Sequence, residues 1–150
     1  MCMKLIAAAT GFCLAGFGAA PALAQSSQLF GNPDALSMQI DLLPEQEQNV
    51  IKRRSGRVVP IAILGSADLD TGSINPRTIR LEGIGVMLVG KSDKSLCKQL
   101  DVNADGYLDL LCEVRTTGFR VDAGEYRILL KAETWDKETL LGEDRLKIQQ

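Results

Sequence analysis

The 150-residue chain contains no histidine. That absence removes the usual general base, the serine and cysteine triads built on an imidazole, and every histidine-ligated metal centre. Aromatic residues are scarce, with one tryptophan, two tyrosines and four phenylalanines, so a sugar-stacking platform has little beyond Trp135 to build on. Past the N-terminus no apolar run approaches the roughly 20 residues that a membrane helix needs. No segment keeps a helical period over three turns, PEQEQNVIKRR (44–54) coming nearest. GxSxG and phosphate-cradling loops are missing, and GIGVMLVG fails as a dinucleotide fingerprint because position 88 is leucine. Paired carboxylates could in principle cleave a glycoside, but the acids that cluster do so in a loop of metal-binding type. The chain reads as a non-enzyme.

The N-terminus supplies the first positive signal. MCMK precedes the apolar run LIAAATGFCLAGFGAAP and then ALAQ, small residues set around a cut after Ala24. This is the pattern of a secretory signal peptide over residues 1–24. Cys13 follows Thr10, Gly11 and Phe12, which is no lipoprotein cut, so a secreted or periplasmic protein without membrane insertion is expected. Removing the signal takes Lys4 and no acid, leaving 16 basic against 19 acidic side chains, a net charge of −3. That balance argues against a nucleic-acid partner. Cys2 and Cys13 leave with the signal. Cys97 and Cys112 remain, and in an oxidising compartment they read as a disulfide, the alternative being two separate buried thiols. Closing a loop of that length contributes roughly 3 kcal/mol by the chain-entropy estimate.

Residues 25–37, QSSQLFGNPDALS, are polar and broken by Gly31 and Pro33, as suits a lead-in. Residues 38–150 form one domain. Its apolar signal is short-range: MQIDLL alternates, VVPIAILG is a compact β-branched run, TIRLEGIGVMLVG alternates in part, and YLDLLCEVRT and EYRILLKAET each offer one apolar face. In the fourth of these, Leu108, Leu110, Cys112 and Val114 fall together, with Asp109, Leu111, Glu113 and Arg115 opposite. Short strands and frequent glycines predict an all-β fold, an immunoglobulin-like antiparallel β-sandwich.

Between the two cysteines lies DVNADGYLD, residues 101–109. Asp101, Asn103 and Asp105 occupy alternate positions, Tyr107 can offer its carbonyl, and Asp109 closes the run. Calcium takes six to eight oxygens, and a tightly turned loop delivers them from alternate residues, with Gly106 permitting the turn. Asp and Asn also favour ordinary polar turns, but such a turn does not require this register. The position where an EF-hand carries its bidentate glutamate is Cys112, and the flanks look extended rather than helical. The expectation is a calcium loop between two strands, with a weak affinity on the order of 10⁻⁴–10⁻³ M. Magnesium prefers a smaller shell that keeps its waters, and zinc lacks its ligands here.

The order IDLLPEQEQNVI, GRVVPIAILGSADLD, INPRTIRLEGIGV, DVNADGYLDLLCEVRTTGF and LLKAETWDKETLLGEDRLKI resembles a secreted bacterial module of pattern I-D-I-K-P-G, G-x-I-P-V-A-I-L-G and D-x-(D/N)-x-D-G-x-x-D-L. The likeness runs from about Met38 to Ile148. It implies a β-sandwich of envelope or surface proteins, usually without assigned chemistry, and carries the ligand role onto Asp101, Asn103, Asp105 and Asp109. Leu43, Glu45 and Gln46 depart from the K-P-G-S character of the first block, and Lys137 and Glu138 stand where a glycine is more usual.

Three features remain. Asp68 and Asp70 could start a second cation site, but a turn capped by side-chain oxygens is the simpler reading. The run KRRSGR (52–57) could face an anionic surface, and reads first as a solvated connection. Trp135, with Tyr107 or Tyr126, could stack on a sugar, though a lone tryptophan beside a turn is more often a packing or an edge residue. Three functions follow: a calcium-ordered structural or interaction module; a recognition module for an envelope or extracellular protein or polysaccharide; and a small enzyme inhibitor, which has only size and export in its favour.

Overall fold

The computed structural model describes residues 34–53, 55–118 and 121–150. The signal segment and the lead-in up to Asn32 and Pro33 lie outside the described residues. The fold is all-β. Among the described residues twelve strands follow in order: β1 (Leu36–Ser37), β2 (Ile40–Leu42), β3 (Val50–Lys52), β4 (Val58–Ile63), β5 (Arg80–Leu81), β6 (Ile84–Gly85), β7 (Leu88–Val89), β8 (Lys94–Ser95), β9 (Cys97–Leu100), β10 (Asp109–Arg115), β11 (Gly124–Glu133) and β12 (Thr139–Gln149). One sheet has the order β1-β12-β11-β5-β6, with β3 also on β12; a second has the order β2-β4-β10-β9; β7 and β8 pair separately. Among the described residues no helix is long and apolar enough to cross a membrane.

The strands form where side chains alternate. In β11, Ile128, Leu130 and Ala132 are buried while their neighbours face water, and in β12 Leu140, Leu146 and Ile148 point the same way. The second sheet answers with Leu42, Val59, Ile61, Ile63, Leu110, Cys112 and Val114, and all belong to one apolar cluster. Burying each such aliphatic side chain contributes roughly 1.5–3 kcal/mol. Leu108 is the exception to the expected face. It is 56 % exposed, because β10 begins one residue later, at Asp109. PEQEQNVIKRR is not helical: a turn leads into β3. TIRLEGIGVMLVG breaks into three short strands, since Glu82 and Gly83 both take left-handed backbone (φ 48° and 81°) and reverse the chain.

Pro60 sits inside β4 between two neighbours, where a missing N–H would break a ladder. The register avoids this. Pairing of β2 with β4 stops at Leu42 opposite Ile61, and the Pro60 carbonyl accepts from Leu43 N at 2.9 Å. The N and C=O of one residue face the same side of an antiparallel strand, so the absent donor points past the end of β2.

The sheets are antiparallel except along the outer edge of β12. There β1 pairs in parallel at Leu140 and Leu141, and β3 in parallel from Lys147 to Gln149. Leu36 and Ser37, within the stretch read as lead-in, are therefore paired. Asp144 fills the gap between the two short strands. Its Oδ2 accepts from Leu42 N at 2.9 Å and from Asn49 Nδ2 at 2.8 Å. Asp41, next to Leu42, feels the consequence: burial, and then the Asp144 charge, push its carboxyl above the ordinary carboxylate range.

Two outcomes are expected. A raised native pKa means that the folded protein holds the Asp41 proton more tightly than the unfolded chain. Stability is therefore lost as pH rises from the ordinary value of about 3.9 through the raised one. Asp41→Asn should raise Tm at pH 7 and give no gain at pH 3, as thermal melts at the two pH values will show. Lys137, in the turn between β11 and β12, has φ 71°, where an L side chain costs roughly 1–2 kcal/mol. Lys137→Gly, after the entropy cost of glycine, should stabilise by about 0.5–1 kcal/mol in urea unfolding.

Candidate functional site

The 101–109 loop connects β9 to β10, neighbouring antiparallel strands of the second sheet. Cys97 and Cys112 are directly opposite in that pairing, with Cα atoms 4.1 Å apart, and form the expected disulfide. Cys112 is fully buried. The loop thus springs from a strand pair that is covalently tied at its far end.

Within the loop, backbone N–H groups curl around the first carboxylate. Asp105 N and Gly106 N donate to Asp101 Oδ1 and Oδ2 at 3.1 and 2.9 Å. Asp105 N is shared with Asn103 Oδ1 at 3.1 Å, and Asn103 Nδ2 donates to Asp105 Oδ2 at 2.8 Å. Tyr107 N closes the turn on Asp105 Oδ1 at 2.8 Å. Ala104 and Gly106 take φ of 59° and 91°; the second is natural for glycine and strained for any other residue. Asp101, Asn103 and Asp105 are all exposed or partly so, and Tyr107 is 45 % exposed.

Asp109 differs from the other four. It is 0 % exposed. Its Oδ1 accepts from Gly65 N at 2.8 Å and its Oδ2 from Val102 N at 2.7 Å. One carboxylate therefore joins the end of β4, the start of the loop and the first residue of β10. The neighbouring carbonyl, Leu108 O, accepts from Thr71 Oγ1 at 2.7 Å, and Gln99 Nε2 donates to the same hydroxyl at 3.4 Å. Gly65 is required by contact: a Cβ there would collide with the Leu108 carbonyl. Gly65, Thr71 and Gln99 were not legible as partners of the loop. The one local hint was a glycine directly after the VVPIAIL run.

The donor set offers only oxygen, which suits a hard cation. Asp101, Asn103 and Asp105 are brought together through shared hydrogen bonds, and the Tyr107 carbonyl follows on the same turn. Asp109 is buried, and each of its oxygens already accepts from one backbone N–H, of Gly65 and of Val102. Among the described residues no three His, Cys, Asp or Glu side chains stand in the arrangement of a metal centre.

Other singled-out residues fall as follows. Asp70 Oδ1 accepts from Gly72 N at 2.8 Å and caps the 3-10 turn Thr71–Ser73, while Ser66 Oγ accepts from Asp68 N at 3.2 Å; side-chain oxygens cap this turn. In KRRSGR, Arg53 pairs with exposed Asp122 at 2.7 Å, and Arg54 lies outside the described residues. Trp135 lies in the β11–β12 turn and is 60 % exposed. Tyr126 donates its hydroxyl to Asp122 O at 2.9 Å. Comparison with protein-family models, with curated proteins and with solved structures gives no match to this chain.

Removing the Asp109 carboxylate strands two backbone donors, each costing about 1–3 kcal/mol when buried. Asp109→Ala should therefore lose roughly 2–4 kcal/mol in urea unfolding with chelator present. A loss under about 0.5 kcal/mol would mean that water reaches both N–H groups.

Proposed function

We propose that this chain is a secreted or periplasmic, non-catalytic structural or interaction module in which Ca²⁺ orders the 101–109 loop. The carrying observation is the pairing of like charges without a counter-charge. Asp101 and Asp105 are wrapped into one turn around Asn103, and the ion pairs among the described residues involve neither. A bound cation would offset that repulsion, with Asp101, Asn103, Asp105 and the Tyr107 carbonyl as protein ligands and Asp109 reached through its remaining lone pairs. Export is supported by the N-terminal sequence and by the disulfide, which suits an oxidising compartment.

An immunoglobulin-like sandwich of the resembled envelope module is the architecture proposed. The order β2-β4-β10-β9 facing β6-β5-β11-β12 is what an A-B-E-D sheet over a C′-C-F-G sheet would give. In this assignment the disulfide joins neighbouring strands of one sheet rather than bridging the two sheets, as antibody domains do.

A ligand that binds only the native state must stabilise it. Thermal melts of the oxidised protein in millimolar calcium, in magnesium and in chelator should show a rise specific to calcium. Asp105→Ala should abolish that rise while melting close to the parent in chelator. An equal loss in chelator would reduce the loop to a polar turn.

A further inference from the structure

A second concave surface lies on the other side of Thr71. A cleft of about 610 Å³ opens between the β11–β12 turn, the 3-10 turns Thr71–Ser73 and Pro76–Thr78, and strands β8 and β9. Three cations line it, Arg77, Lys94 and Lys98, and among the described residues no acidic one does, in a chain whose net charge is −2. The ion pairs of the described residues use none of the three. Arg77 Nη2 donates to the Ser92 and Asp93 carbonyls, both at 3.3 Å, which fixes the guanidinium and leaves further N–H groups for a guest.

Trp135 borders the same cleft. Its backbone N is held by Ser73 O at 2.9 Å while its side chain stays 60 % exposed, and the apolar core is complete without it. Gln99 donates to Thr71 Oγ1 and keeps its own carbonyl for a guest. Ser95 Oγ, also in the cleft wall, is the buried side-chain polar atom that lacks a hydrogen-bond partner among the described residues. An indole face, three uncompensated cations and spare amide and hydroxyl groups together fit a pyranose ring bearing a carboxylate. The C–H face of such a ring stacks on tryptophan, its carboxylate meets arginine or lysine, and its hydroxyls meet Gln99.

We propose that this cleft binds a uronic-acid saccharide. A nucleic acid would also offer anions and flat rings, but the acidic chain and its single exposed indole disfavour it. The site needs no metal, so it stands or falls apart from the calcium loop.

Titration calorimetry of the oxidised protein in calcium-free buffer tests this, with tetragalacturonate, mannuronate tetrasaccharide and hyaluronan tetrasaccharide as probes. Maltotetraose and a single-stranded DNA oligomer are the comparisons. At least one uronate should bind, with Kd on the order of 10–500 μM, and maltotetraose should bind at least about tenfold more weakly. Trp135→Ala and Lys98→Gln, both at exposed positions, should each weaken binding about tenfold, while Lys131→Gln, on β11 and outside the cleft lining, leaves it unchanged. Silence from all three uronates would overturn the proposal, and so would binding that neither Trp135→Ala nor Lys98→Gln alters. Tighter binding of the DNA oligomer would replace it with a nucleic-acid site.

Discussion

The arrangement of the loop end of this molecule depends on one buried carboxylate. Asp109 is enclosed completely, yet both its oxygens are satisfied by backbone donors from Gly65 and Val102. A buried ion is costly unless hydrogen-bonded, and here the bonds come from segments 44 and 7 residues away in the chain. The end of β4, the mouth of the acidic loop and the start of β10 are thereby fixed relative to each other. Thr71 extends the same junction, since its hydroxyl meets Leu108 O beside that carboxylate. The acidic loop and the Trp135 cleft consequently share a wall, with Thr71 and Gln99 in both.

Much of the scaffold was legible because period-2 alternation is a local signal. VVPIAI became β4, and the two long strands of the terminal hairpin follow their apolar faces closely. The cysteine pairing was legible from compartment and position. What stayed hidden depends on distance. Nothing in the order of residues announces that Leu36–Ser37 and Val50–Lys52 both run parallel to β12, because such pairings are settled by what the long strand leaves open. Leu108 was assigned to the core by alternation alone, but Thr71 holds its carbonyl and its side chain faces water.

The candidate sites divide in the same way. The 101–109 register could be read directly, since alternate oxygen-bearing residues and a central glycine are contiguous. The different position of Asp109 could not, because it turns on Gly65. Arg77, Lys94 and Lys98 are scattered over three elements in sequence, and only the crossing of the β11–β12 turn over the 3-10 turns gathers them around Trp135. A lone tryptophan in a polar turn carried little meaning until its surroundings were known.

The parallel edge of β12 has a mechanical meaning. Because β1 and β12 run in the same direction, a pull applied before Leu36 and after Gln149 drags these strands past each other lengthwise. Their hydrogen bonds then carry the load together, in shear, instead of opening one after another as in a peeled hairpin. β3, also parallel to β12, lies along the same edge, and Asp144 fastens the gap between the two short strands through Leu42 and Asn49. The Cys97–Cys112 bridge closes the acidic loop into a ring that tension along the backbone cannot lengthen. Tension between Leu36 and Gln149 therefore loads the β1–β12 pairing along the strands rather than across them.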